Sequence, residues 1–124
     1  MLTLLLYLIN LNYNNQNVID KTISFREERK WKQFHTLKDL LLGLNIEVAE
    51  LQELFLWKNE EEQSFVDKEK ISEELADIFI FLTYISEHFG IDLEDAVLDK
   101  IEKNSKKYPI EKCYGRNKKY NNLD

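Results

Sequence analysis

Four carboxylates in two short motifs carry the chemistry legible in this chain: Glu47-Val48-Ala49-Glu50 and Glu74-Leu75-Ala76-Asp77. Each motif sets its two acids three residues apart, the spacing that puts both on one face of a helix. Each is embedded in an apolar stretch, where an unpaired carboxylate is costly. Acids so placed need a counter-charge, and oxygen ligands suit a hard divalent cation, Mg²⁺ or Mn²⁺, rather than zinc. That points to chemistry on phosphates. At about 100° per residue, Glu47 and Glu50 stand roughly 60° and 120° to one side of their helix's apolar stripe. Glu74 and Asp77 take the same offsets on theirs. Alone, either pair reads as ordinary boundary acids on a solvated face; matched offsets on consecutive helices favour a shared metal site.

A complementary charge follows later in the chain. Lys100, Asn104 and Lys107 fall at i, i+4 and i+7, with Tyr108 beside them. Ammonium groups, an amide and a phenol suit phosphate oxygens. The competing reading is a Lys-rich last turn that satisfies the helix dipole, and Lys103, Lys106 and Lys107 support it.

The elements that must position these groups read as helices throughout. Ser24 with Glu27 fits a capping box opening a first helix that ends near Phe34. Thr36 with Asp39 opens a second, through about Trp57, with Leu37, Leu40, Leu41, Leu44, Val48, Leu51 and Phe55 at helical spacing. Lys58 to Gln63 reads as a polar loop, and Ser64 with Asp67 as the cap of a third helix ended by Gly90. Asp92 caps a fourth, which Pro109 stops. No strand-like alternation competes, so the expected fold is all-α, an antiparallel bundle of four main helices.

The 124 residues allow one domain with a modest core. Apolar residues at 44% and charged residues at 32% fit a soluble globular protein, and three Gly and one Pro permit long helices. A net charge of −6 argues against gripping a nucleic acid polymer, but not against a small phosphorylated ligand once a metal reverses the local field. The single Cys113 permits no internal disulfide and suits a reducing, cytoplasmic setting. Leu2 to Ile9 is apolar but too short to span a bilayer, and it lacks a basic n-region and a cleavage signal. Residues 1–22, with the Asn-rich run from Asn10 to Asn17, read as an extension or a short helix packed on the domain. Residues 23–110 form the domain, and 111–124 a polar C-terminal tail.

Beyond the acids, matching segments run through Phe25-Arg26-Glu27-Glu28-Arg29-Lys30-Trp31, Gln33-Phe34-His35 and Glu47 to Lys58. They continue in Glu73-Glu74-Leu75-Ala76-Asp77 and in Lys100-x-x-x-Asn104-x-x-Lys107-Tyr108-Pro109. Together, over about residues 23 to 110, they resemble the all-α nucleoside triphosphate pyrophosphohydrolases, the MazG-like superfamily, and within it the dCTP pyrophosphatase branch. The resemblance implies that Glu47, Glu50, Glu74 and Asp77 hold Mg²⁺ against a triphosphate. It implies hydrolysis to the monophosphate and pyrophosphate by water attacking the α-phosphorus. Glu50 is then a candidate to take the water's proton, and Lys100, Asn104, Lys107 and Tyr108 would hold the phosphates. His35 and Trp57, with Trp31, would line the base pocket, and Phe81 would wall the sugar. For Trp57 and His35 the plainer alternatives are a hydrophobic plug and a structural residue at a helix junction; His88 reads as structural.

Two rival classes fit the residues less well. A carboxylate-bridged di-iron bundle uses Glu-x-x-His, and neither His here follows a Glu at that spacing. A helical nucleotide-binding or interaction module without turnover does not need four partly buried carboxylates. Aromatic residues are many for four helices, and Phe79 and Phe81 lie on opposite edges of the third. A homodimer or homotetramer is therefore expected, as the resemblance also implies.

Overall fold

The computed structural model describes residues 1–123, with side chains described outside residues 8–16, which hold most of the Asn-rich run. The described residues are all-α: α1 (Leu2–Glu28), α2 (Leu37–Glu53), α3 (Glu60–Gln63), α4 (Lys68–His88), α5 (Leu93–Lys107) and α6 (Ile110–Cys113), with 3-10 turns at Trp31–Phe34 and Tyr120–Asn122. They contain no strand, as expected. Two compact units divide the chain, Met1–Phe89 and Gly90–Asp124. Among the described residues no helix is long and apolar enough to cross a membrane.

Several expected boundaries hold. Thr36 caps α2, its side chain accepting from the Asp39 amide, and Asp92 caps α5 by accepting from Asp95. Gly90, at φ 63°, takes the left-handed conformation just past the end of α4, where a side chain would be strained. Pro109 has no amide to donate and disfavours a helical residue before it, so α5 ends at Lys107.

Others shift. Ser24 opens no helix; it lies inside α1, because no Gly or Pro interrupts the chain ahead of it. The boundary drawn between residues 22 and 23 therefore falls within one continuous helix. That helix stops at Glu28 rather than Phe34, since Lys30 turns to φ 53° and Trp31–Phe34 tighten into a 3-10 turn. In the same way α2 stops at Glu53, and the chain turns through Trp57 at φ 61°. The expected polar loop contains α3, capped by Asn59 and led by three glutamates that suit its N-terminal dipole. Asp67, not Ser64, caps α4, accepting from the Glu69 amide.

Within the first unit, the pairs Gly43 with Phe81 and Glu47 with Asp77 show α2 and α4 running antiparallel. Tyr84 Oη donates to the Thr22 carbonyl at 3.2 Å, and Arg26 Nη2 donates to Glu87 Oε2 at 3.0 Å, so α1 runs in the same sense as α4. The core is small: Leu40 and Tyr84 are the described apolar residues that are fully buried. Buried Thr83 and Ser86 are satisfied within their own helix, donating to Phe79 and Leu82 carbonyls.

In the second unit, the segment expected as a polar tail carries α6 and the Tyr120 turn. Tyr108 meets the Tyr120 ring edge-on at 6.2 Å, and Lys107 Nζ lies 5.0 Å from the same ring's centre.

Candidate active site

Helical spacing turns Glu47 and Glu50 of α2 toward α4, and Glu74 of α4 toward α2. One carboxylate oxygen from each of the three lies within 4.8 Å of the others. Asp77 is outside that tight group, yet its charge acts on both Glu47 and Glu74, so it borders the cluster. Burial, then the charges of Asp77 and Glu50, lift the Glu47 carboxyl to about 7. Glu74 is raised as well, by burial first and then by Glu50.

Two oxygens, Glu47 Oε2 and Glu74 Oε2, are buried without a hydrogen-bond partner. Orphaned carboxylate oxygens that face further carboxylates are unstable as they stand. Among the described residues no cation is paired with Glu47 or Glu74, and the donor set is all oxygen. The residues therefore fit a hard divalent metal ion.

Beside the cluster lies a cavity of about 510 Å³, which Asp77, at the cluster's border, also lines. Its walls include Trp31, His35, Phe81 and Tyr84, with Thr22 and Phe25 from α1. Phe25 and Trp31 meet edge-to-face at 5.7 Å, and the Arg29 guanidinium covers Phe25 at 3.7 Å. His35 lies 5.3 Å from the Tyr84 ring, its Nδ1 buried without a partner. Burial, and then the nearby Arg26 charge, lower its pKa, which favours the neutral ring with one donor and one acceptor.

Thus Trp31, His35 and Phe81 of the expected base pocket come together. Trp57 does not join them: it is 92% exposed, at a second depression with Leu51, Phe55, Ile71 and Leu75. The turn after Glu53 carries it away from the helix face on which it was expected. Lys100, Asn104 and Lys107 share α5 of the second unit and Tyr108 is its C-cap, with both lysines exposed and Asn104 half-buried.

Arg26, Thr22 and Tyr84 were not singled out from the sequence. A signal existed: Val18, Thr22, Phe25 and Arg26 fall at i, i+4, i+7 and i+8, one face of a helix. That face runs across residues 22 and 23, so a domain start at residue 23 divides it.

Fold and site together define a class: all-α proteins that gather carboxylates between two antiparallel helices, beside an aromatic-walled cavity. The MazG-like family model matches residues 42–123, which include all four acids and the α5 stripe. dCTP pyrophosphatase 1 of Bos taurus is 42% identical, over 80% of this chain and 62% of its own length. The Homo sapiens protein of the same name is 39% identical, over 80% and 61%. This chain thus spans about three fifths of the length of these curated relatives. The crystal structure of a pyrophosphatase from Archaeoglobus fulgidus has a TM-score of 0.70 to it at 38% identity, covering 76% of this chain and 91% of that one. The chain belongs to the MazG-like family.

Proposed function

We propose that this protein is a Mg²⁺-dependent nucleoside triphosphate pyrophosphohydrolase, with Mn²⁺ as a substitute. It would convert an NTP or dNTP, dCTP or a modified dCTP foremost, and water to the monophosphate and pyrophosphate. The observation that carries this reading is the meeting of Glu47, Glu50 and Glu74, with two orphaned oxygens, beside a cavity walled by aromatic rings. The names of the relatives support the same choice of substrate.

Glu47, Glu50 and Glu74, with Asp77 at their border, would hold the metal. Bound there, it supplies charge for the phosphate oxygens and acidifies water. The chain's own groups do the rest. Glu50 is the exposed member of the three and would accept the attacking water's proton. As that oxygen bonds to the α-phosphorus, the bridge to the β-phosphorus breaks and pyrophosphate leaves. Lys100 and Lys107 would bind its charge, with Asn104 and Tyr108 as oriented donors. Trp31 and Phe81 would flank the base, and neutral His35 would hydrogen-bond its edge. Trp57 offers no wall to this cavity within its own chain. Exposed Leu75, Phe79 and Leu82 on α4 support a homodimer or homotetramer as the working form.

The test is product analysis from dCTP and other NTPs, with Mg²⁺ and with a chelator. The expected result is monophosphate and pyrophosphate in equal amounts, lost on chelation and restored by Mg²⁺ or Mn²⁺. Release of orthophosphate instead, turnover indifferent to chelation, or binding without turnover would overturn the reading.

A further inference from the structure

Gly43 sits within α2, a position where alanine is the better helix former, and its φ is not in the left-handed region. Its own helix has no need of a glycine. The reason lies across the helix pair: a Cβ at 43 would overlap Cε1 and Cζ of Phe81 and come within 3.1 Å of Cδ1. The Phe81 ring therefore rests on the bare backbone of α2. Phe81 also lines the cavity of about 510 Å³, a volume typical of sites that enclose ligands well beyond one pyrimidine ring. Packed interiors do not absorb such an overlap without movement. A side chain at 43 must displace the ring away from the helix backbone, and the open space is the cavity.

We propose that Gly43 sets the size of base this pocket accepts, by letting Phe81 withdraw against α2 and so leaving room beyond a pyrimidine ring. This deepens the proposed function and rests on its reading of the cavity as the base site. Gly43 touches no substrate; it is a positioning residue that acts through Phe81.

The experiment compares wild type, Gly43→Ala and the double variant Gly43→Ala/Phe81→Leu, reading kcat and KM for dCTP, dTTP and dGTP with Mg²⁺, alongside thermal unfolding. For Gly43→Ala, KM should rise with base size, about tenfold or more for dGTP, while kcat for dCTP is kept. The double variant should restore the wild-type ranking, because the smaller Leu yields the space back. A purely structural role would instead lower stability and weaken all three nucleotides alike, with no rescue. Phe81→Trp, which fills the cavity without touching helix propensity at 43, should reproduce the size-dependent loss and guards against a Gly43→Ala protein that fails to fold. An active wild type that rejects dGTP, or an unchanged ranking in the variants, overturns this inference alone. A wild type that hydrolyses none of the three overturns the functional reading and the inference with it.

Discussion

Glu74 and Glu87 lie about 20 Å apart on α4, and their carboxylates have opposite surroundings. Near the start of the helix, Glu74 meets Glu47 and Glu50, and buried oxygens lack partners. Near its end, Glu87 accepts from Arg26 Nη2 at 3.0 Å and from Lys32 Nζ at 2.9 Å. Arg26, only 1% exposed, is further held by Glu27 at 3.1 Å and lies 4.7 Å from the centre of the Tyr84 ring. Burial pushes Glu87 up, but the bonds from Lys32 and Arg26 outweigh it and hold the carboxyl below its ordinary range. One end of the helix concentrates like charge; the other pairs unlike charge. Electrostatic conflict retained in a fold marks a candidate for binding or catalysis, whereas the paired charges tie α1 to α4 beside the cavity wall.

The sharpest way to break this contrast is substitution at the conflicted end. Glu47→Gln or Asp77→Asn should lower turnover by about a hundredfold or more if the proposed metal site is right, since each removes a carboxylate at that site. The helical fold should survive, and the metal-free protein should gain slightly in stability as repulsion falls. Circular dichroism with steady-state kinetics checks both parts; near-native turnover in either variant would remove the metal site.

At the resolved end the effect should be smaller and of the other kind. Glu87→Gln leaves the buried Arg26 short of a charge partner and should cost about 1–3 kcal/mol in urea unfolding. Its kcat should stay at the wild-type value. A variant as stable as wild type would show that the pairing contributes little, and the contrast between the two ends would lapse.

The effects that separate the two ends most directly are pH slopes of opposite sign. Glu47, at about 7 in the folded chain against an ordinary 4.5, keeps a proton that the unfolded chain has released. Metal-free stability should therefore fall as pH rises from about 4.5 to about 7 and level off above, a slope that Glu47→Gln abolishes. Glu87, held below its ordinary range, contributes stability at neutral pH that is lost as pH drops through its folded pKa; Glu87→Gln should flatten that acid limb. Because the acids must shed protons to bind metal, Mg²⁺ should raise the unfolding temperature more at pH 8 than at pH 5.5. Urea and thermal unfolding with chelator or Mg²⁺ across this range test all three.

Much was legible in the residues alone, wherever a local rule sufficed. Thr36, Asp92, Gly90 and Pro109 marked helix ends through their own hydrogen-bonding and backbone preferences. The spacing of Glu47 with Glu50 and Glu74 with Asp77 fixed their faces, because direction around a helix depends only on position along it. Boundaries governed by strained turns at Lys30 and Trp57 were not legible, since neither residue type favours a left-handed φ.

The sequence by itself determined that the chain is helical, which residues share a helix face, and that acids in two helices could meet. Only the tertiary structure decided that Glu47, Glu50 and Glu74 converge while Asp77 borders them. It also decided that α1 closes the cavity and that Arg26 finds Glu87 rather than the acidic cluster. The physical reason is that distances between helices are set by what fills the space between them. A bare backbone at Gly43, a ring at Phe81 and a buried guanidinium at Arg26 fix separations that no periodicity along a single helix encodes.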